Sequence, residues 1–264
     1  MGDTGNERNA GNERTAGHPL VRLSETDSTN AHLRRLLEQE DLPPGGVVMA
    51  DRQTAGRGRQ GRGWVTVPGR SLAASVLLAP PPLPRPSRLT VLAAVAVCRA
   101  LDHLGATGIT IKWPNDLMRA DRKIGGLLVE RVQHGDGPPL YVLGIGLNLA
   151  LQPGDLPPEL ANCAGDAGLQ ADGRLRERLL EALLPELDAA LAELGCPGDE
   201  QRGAEYQRRS WLRGRQVELN VGGERLATRI EDVSPDGDLV LTDGRLLAGE
   251  TVELAEVEGL PRAR

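Results

Sequence analysis

The stretch LTVLAAVAV, residues 89–97, is apolar on nearly every face it could present as a helix. A helix without a polar side is stable only when other elements cover it. It reads as a helix capped at Ser87, running to about Leu104 and ending at Gly105. Five runs with strand character surround it. VVMA (47–50) and SLAASVLLA (71–79) are short and continuously apolar, while ITIKW (109–113), KIGGLLVERV (123–132) and LYVLGIGLNLAL (140–151) are bounded by Pro, Asp or Gly. Two more helices are expected. One starts at Ser28, Thr29 or Asn30 and carries Leu33, Leu36 and Leu37 on one side; the other covers residues 173–194 and is adjusted near Pro185. This mixture predicts an α/β (α+β) domain, a mixed sheet packed with helices. With no Phe and aromatics at 2%, its core has to be built from Leu, Val, Ile and Ala.

From Gly214 the texture changes. RQVELNV, RLATRIEDV, GDLVLT and RLLAGETVEL alternate in polarity and are separated by Gly-Gly, Pro-Asp-Gly and Asp-Gly turns, which predicts a small β-barrel. At the other end, GNERNAGNERTAG (5–17) is a polar tandem repeat that can bury nothing. The expected organisation is a disordered tail over 1–19, a main domain over 20–195, a helical connector over 196–213 and the β module over 214–264. Everything from Arg52 to Trp64 is expected to be loop.

That loop contains GRGRQGRGW (56–64), in a chain of formal net charge -6. Four origins for such a loop compete: a disordered nucleic-acid tether, a dinucleotide fingerprint, an ordered wrap around a small anion, or a solvated turn. The fingerprint requires a helix at the glycines and an acidic residue about twenty positions on. Instead WVTVPG follows, and no Asp or Glu occurs from Arg52 through Ala100. A sequence pI near 5.4 speaks against a general nucleic-acid binder. Arg57, Arg59 and Arg62 thus lack a carboxylate nearby in sequence, which favours a phosphate or carboxylate ligand. No G-K-[ST] is present, so the loop is not a Walker P-loop.

Cys98, Cys163 and Cys196 show no metal or redox spacing, and the four histidines are scattered. No protein-held metal site is expected, and the thiols suit a reducing cytoplasm. No apolar run has membrane-spanning length, so no membrane association is expected.

Further blocks carry chemistry. KWPND ends a strand with Lys112 and presents Asn115 and Asp116 after Pro114. Lys123 precedes the glycine pair Gly125–Gly126. Gly144 and Gly146 interrupt an apolar strand, where glycine weakens the strand unless another group must approach its backbone. In this order, STN (28–30), QTAGRGRQGRGW (53–64), KWPND (112–116), KIGGLLVE (123–130) and GIGLNL (144–149) resemble the signature blocks of biotin–protein ligases. The resemblance spans roughly residues 20–255 and includes the small C-terminal module, which it implies is SH3-like.

The resemblance implies a ligase that activates biotin with ATP to biotinyl-5′-AMP. It then passes biotin to a lysine of a biotin carboxyl carrier protein, or of the carrier domain of a biotin-dependent carboxylase. Carried over by residue, Ser28, Thr29, Asn30 and Gln53 meet the ureido end of biotin. Gly56, Arg57, Gly58, Gly125 and Gly126 line its pocket, and Arg59 and Lys123 touch it as well as the nucleotide. Arg62, Trp64, Lys112, Asn115 and Asn148 complete the ATP site, with Trp64 against adenine. Lys112, Lys123 and Arg59 act in catalysis, and Asp116 orients or deprotonates the carrier lysine. Mg²⁺ is expected with the ATP phosphates.

Gln60 stands where relatives often carry a basic or polar side chain, so no phosphate contact is assigned to it. About 23 residues precede SETDSTN, too few for the helix-turn-helix of repressor members, so no dedicated nucleic-acid-binding domain is expected. Whether the protein is a homodimer is left open. A lipoate–protein ligase is the nearest alternative, and a nucleic-acid-binding module using the arginine loop is the alternative from another class.

Overall fold

The structure, a computed structural model, describes residues 14–258 except 16, 84, 195, 250 and 251. Residues 1–13, which hold most of the expected tail, lie outside the described residues. Regular structure starts earlier than the sequence suggests. Strand β1 (Arg14–Thr15) pairs antiparallel with β2 (His18–Thr26), so strand pairing begins inside the segment 1–19 expected to be a disordered tail.

Helix α1 (Thr29–Glu38) follows, with Ser28 at its cap position. Strand β3 (Val47–Gln53) extends three residues beyond the apolar run VVMA and carries Gln53 out of the expected loop. It pairs parallel with β2, so α1 is the crossover between them. Strand β4 (Ser71–Leu78) is buried along its whole length. The apolar helix is α2 (Ser87–His103); Pro86, not Ser87, occupies the cap position, and the Ser87 hydroxyl instead donates to Asp236 O at 2.6 Å. Gly105 ends it with φ +88°, as expected.

Next come β5 (Ile109–Lys112), β6 (Asp116–Arg119), β7 (Arg122–Val132) and β8 (Leu140–Asn148). The large sheet has the order β1-β2-β3-β4-β8-β7-β6-β5, antiparallel apart from β2–β3. Alternation along the strands divides its core. Val21, Val48, Leu77 and Val142 meet Leu33 and Leu37 of α1 on one face. Leu20, Val47, Met49 and Ala74 meet α2 on the other. A short α3 (Pro158–Ala161) precedes α4 (Leu175–Ala192), which continues through Pro185 and covers α2 from outside. The sheet, α4 and the helix that follows it (Pro197–Arg209) together supply the cover that α2 requires.

Helix α5 (Pro197–Arg209) occupies the expected connector. Strands β9 (Gln216–Val221), β10 (Glu224–Val233), β11 (Leu239–Leu241), β12 (Leu246–Leu247) and β13 (Val252–Val257) form a second antiparallel sheet, ordered β12-β11-β10-β9-β13. Leu219, Ile230, Val233, Leu239 and Leu241 fill it. Polar ties join it to the large domain, including Arg88 Nη1 donating to Pro235 O (2.6 Å) and Trp113 Nε1 donating to Gly237 O (2.8 Å). Among the described residues, no helix is long and apolar enough to cross a membrane.

Candidate active site

A cavity of about 280 Å³ opens between β3, the arginine loop, the strands β5–β8 and the edge strand β13. One end is a buried polar network at the start of α1. Gln53 Oε1 accepts from the Thr29 amide (2.8 Å) and hydroxyl (3.2 Å). Ser75 Oγ donates to Asn30 Oδ1 at 2.6 Å and lies 2.8 Å from Thr29 Oγ1, while Asn30 Nδ2 donates to Glu130 Oε2 at 2.7 Å. With a hydroxyl on its oxygen and a carboxylate on its nitrogen, the Asn30 amide is fixed against flipping.

Two glycines make the floor. A Cβ on Gly144 would lie 2.4 Å from Asn30 Oδ1, and one on Gly146 would lie 2.6 Å from the Trp64 ring. The close approach that GIGLNL demands is thus made by the site's own side chains.

The arginine loop is folded rather than tether-like. Gly58 N donates to Arg62 O (2.7 Å), Trp64 N donates to Gly56 O (2.9 Å), and Arg57 bridges Gly63. A short 3₁₀ turn spans Arg59–Gly61 inside what was expected to be plain loop. Arg59 donates to Asn115 Oδ1 (3.5 Å) and, across to the C-terminal module, to Gly249 O (3.2 Å). Gln60 bonds Glu253 of β13 and accepts from Arg62 at 2.7 Å. Its use is a tie to the β module, a role no sequence feature announces.

The strands deliver the lysines. Lys112 ends β5 and Asp116 opens β6, directly paired with it across the turn that contains the cis Trp113–Pro114 peptide. Between β6 and β7 the register skips Ile124, a bulge that brings Lys123 and Gly126 to the same cavity wall. Lys123 Nζ then meets Asp116 Oδ1 at 2.6 Å. Burial pushes the Lys112 ammonium below the usual lysine range; Asp116 opposes this, and Lys123, Arg62 and Arg215 add to it. Burial also lowers Arg59, again opposed by Asp116. An arginine so placed keeps its charge. The far end of the cavity is therefore a half-buried group of cations around the Asp116–Lys123 pair.

Most residues marked from the sequence line this one cavity: Ser28, Thr29, Asn30, Gln53, Arg57, Gly58, Arg59, Arg62, Trp64, Lys112, Asn115, Asp116, Lys123 and Gly126. Three do not. Gly56 is buried under Trp64 O, where a Cβ would come to 2.7 Å. Gly125 faces Leu147, where a Cβ would come to 2.4 Å. Asn148 is buried, accepting from Ser71 Oγ (3.2 Å) and donating to Gly165 O (3.1 Å). It steadies the segment whose Cys163 O and Gly165 N hold the Lys123 backbone at 3.1 and 2.8 Å. In this structure its side chain lies behind the cavity wall. Ser75, Glu130, Trp211 and Glu253 also shape the site, and no site role is assigned to any of them from the sequence. Among the described residues no group of three or more His, Cys, Asp or Glu is placed to hold a metal ion.

The fold and the cavity define a class. The family model for the Biotin/lipoate A/B protein ligase family matches residues 23–148. The bifunctional ligase/repressor BirA of Bacillus subtilis is 40% identical over 143 residues; the match covers 54% of this chain and 43% of that protein, so this chain spans less than half of that relative. The biotin–[acetyl-CoA-carboxylase] ligase of Mycobacterium tuberculosis is 33% identical over 245 residues, covering 88% of each chain. Among solved structures, biotin protein ligase from Aquifex aeolicus in complex with biotin and ATP superposes with a TM-score of 0.74 at 27% identity, covering 89% of this chain and 97% of that one. Within the class, the chain belongs to the biotin–protein ligase family.

Proposed function

We propose that the protein joins biotin to ATP, releasing pyrophosphate, and then transfers the biotinyl group to a lysine of a biotin carboxyl carrier protein, releasing AMP. The supporting observation is the joining of a fixed polar pocket to a cationic field in one cavity. Biotin's ureido group has two N–H donors and one carbonyl acceptor, which suit the Ser28–Thr29–Asn30–Gln53 end. Its carboxylate then points toward Arg59, Lys112 and Lys123.

In the first step a carboxylate oxygen attacks the α-phosphorus and the P–O bond to pyrophosphate breaks. Two anions have to be brought together, and fixed cations offset their repulsion most strongly where water is excluded. Arg62 and Asn115 serve the nucleotide phosphates in this scheme, and Trp64 the base. In the second step a neutral lysine amine attacks the acyl carbon and AMP leaves as the anhydride C–O bond breaks. Asp116, held by Lys123, receives the incoming ammonium, orients it and takes the proton it gives up before attack, and the proton released as the amide forms leaves with the AMP phosphate or to solvent. Mg²⁺ arrives bound to the ATP phosphates. A cytoplasmic setting goes with the consumption of ATP and with the free thiols of Cys98, Cys163 and Cys196.

The test is single-turnover pyrophosphate release with biotin or lipoate as the acid. A burst with biotin is expected, reduced ~10²–10³-fold in Arg59→Ala. Lipoate has a dithiolane where biotin has the ureido group and leaves buried polar groups unpaired, so no burst is expected from it. Absence of a biotin-dependent burst overturns the assignment.

A further inference from the structure

The connector into the C-terminal module runs directly beside Lys112. Ser210 bridges Ile111 in parallel, and the Trp211 amide donates to Ile111 O at 2.8 Å. Trp211 is 7% exposed and borders the cavity. Lys112 Nζ lies 5.1 Å from its ring centroid. The ring is anchored at its edge, because Nε1 donates to Asp121 Oδ1 at 2.7 Å. The same oxygen accepts from Arg215 at 3.0 Å, and Arg215 Cζ lies over the ring at 4.0 Å.

We propose that Trp211 is a positioning residue for adenylate formation, its π face holding the Lys112 side chain as an ammonium aimed into the cavity. This rests on the reaction proposed above. The reason lies in the charges that face Lys112 from each neighbouring element: Asp116 on β6, Lys123 on β7, Arg62 in the arginine loop and Arg215 before β9. Three of the four repel it. The attractive one, Asp116, already has an oxygen 2.6 Å from Lys123 Nζ.

A second carboxylate would steady the ammonium, but it would also occupy N–H donors and cancel the field meant for a phosphate. An aromatic face attracts a cation within about 6 Å through its quadrupole and uses no donor. Tryptophan is the strongest such face, and Asp121 both fixes its plane and offsets the charge of Arg215 beside it. The connector thereby links the C-terminal module to the first chemical step.

The test replaces Trp211 alone with mono-, di- and tetrafluorotryptophan, leaving Trp64 and Trp113 natural. Fluorine withdraws π density while nearly preserving shape, so folding is not at stake. Lys112 is titrated by competitive acetic anhydride labelling with peptide mass analysis, in parallel with the pH profile of biotin-dependent pyrophosphate release. The Lys112 midpoint is expected to fall stepwise with fluorination, by about half a pH unit or more across the series. The alkaline limb of kcat moves with it and KM for biotin stays constant. A midpoint that does not move across the series, or that rises, overturns the proposal. If the natural protein shows no biotin-dependent release at any pH, it is the reaction assignment that fails, and the labelling series still decides the role of the ring.

Discussion

At the residue scale the site depends as much on missing atoms as on functional groups. Gly144 has no side chain because Asn30 occupies that space, and Asn30 cannot retreat while Ser75 and Glu130 hold both ends of its amide. Gly144→Ala is therefore expected to weaken biotin binding at least ~10-fold, about 1.4 kcal/mol, with the fold retained; isothermal titration calorimetry reads it directly. Lys112 shows the opposite tension, between stability and use. Its pKa is lower in the folded chain than the usual lysine value of 10.5 because burial disfavours its charge. The folded state thus binds this proton more weakly than the unfolded chain does. The cost is complete below the folded pKa and disappears as pH rises through the usual lysine value. Lys112→Met is expected to abolish adenylate formation yet raise the melting temperature by about 2–4 °C near pH 7, with the gain fading above pH ~10. Calorimetry at several pH values checks the sign. Arginines and lysines in this site are legible because unpaired charge on a glycine-rich backbone is unusual. Ser75 is not, since a serine in an otherwise apolar strand looks like any small residue until Asn30 is seen against it.

At the element scale, what could be read and what could not separate by the chemistry of the buried face. Helix α2 and strand β4 announce themselves through continuous apolar runs. Helix α5 does have a buried stripe, at Asp199, Arg202, Gly203 and Tyr206, at helical spacing. It is written mostly in charged and small residues, so although a helical connector is expected over 196–213, hydrophobic periodicity does not show which face of it is buried. Strand β6, four residues after a proline turn, is too short to carry any pattern. The charged stripe is structural. Arg88 Nη2 meets Asp199 Oδ1 at 2.5 Å, joining α2 to α5, with both groups nearly buried. Arg88→Ala leaves that carboxylate buried without its arginine, and a loss of ~3–5 kcal/mol is expected in denaturant unfolding. The double variant with Asp199→Ala is expected to recover part of it. A loss in the double variant equal to the sum of the losses in the two single variants would show that the pair is not coupled.

Across the whole molecule, the C-terminal module is a wall of the cavity rather than an appendage. The sequence marks it as a separate β unit through its turns, but contacts between distant segments leave no local pattern, so its part in the site is legible only in three dimensions. Its strand β13 holds the arginine loop through Glu253 and Gln60. In Glu253→Ala that hold is lost, and tryptic cleavage after Arg59 or Arg62 is expected to accelerate roughly five-fold in the ligand-free protein. Biotin with ATP is expected to suppress the difference, and timed digestion with mass analysis measures both. The joint between the two parts has a further property. Arg59, Ser87, Arg88, Trp113 and Gln207 all reach the module through main-chain carbonyls, those of Gly249, Asp236, Pro235, Gly237 and Val233. Every residue type offers that oxygen, so Val233 and Asp236 can change while their acceptors persist, whereas Gly237, at φ +89° with Ser87 and Val91 close around it, and Gly249, close to Trp113, have no room for a side chain. Spacing is held more tightly still: one inserted residue in the turn between β10 and β11 would displace the carbonyls of Pro235, Asp236 and Gly237 together, so the two halves are bound to evolve as a matched pair in length.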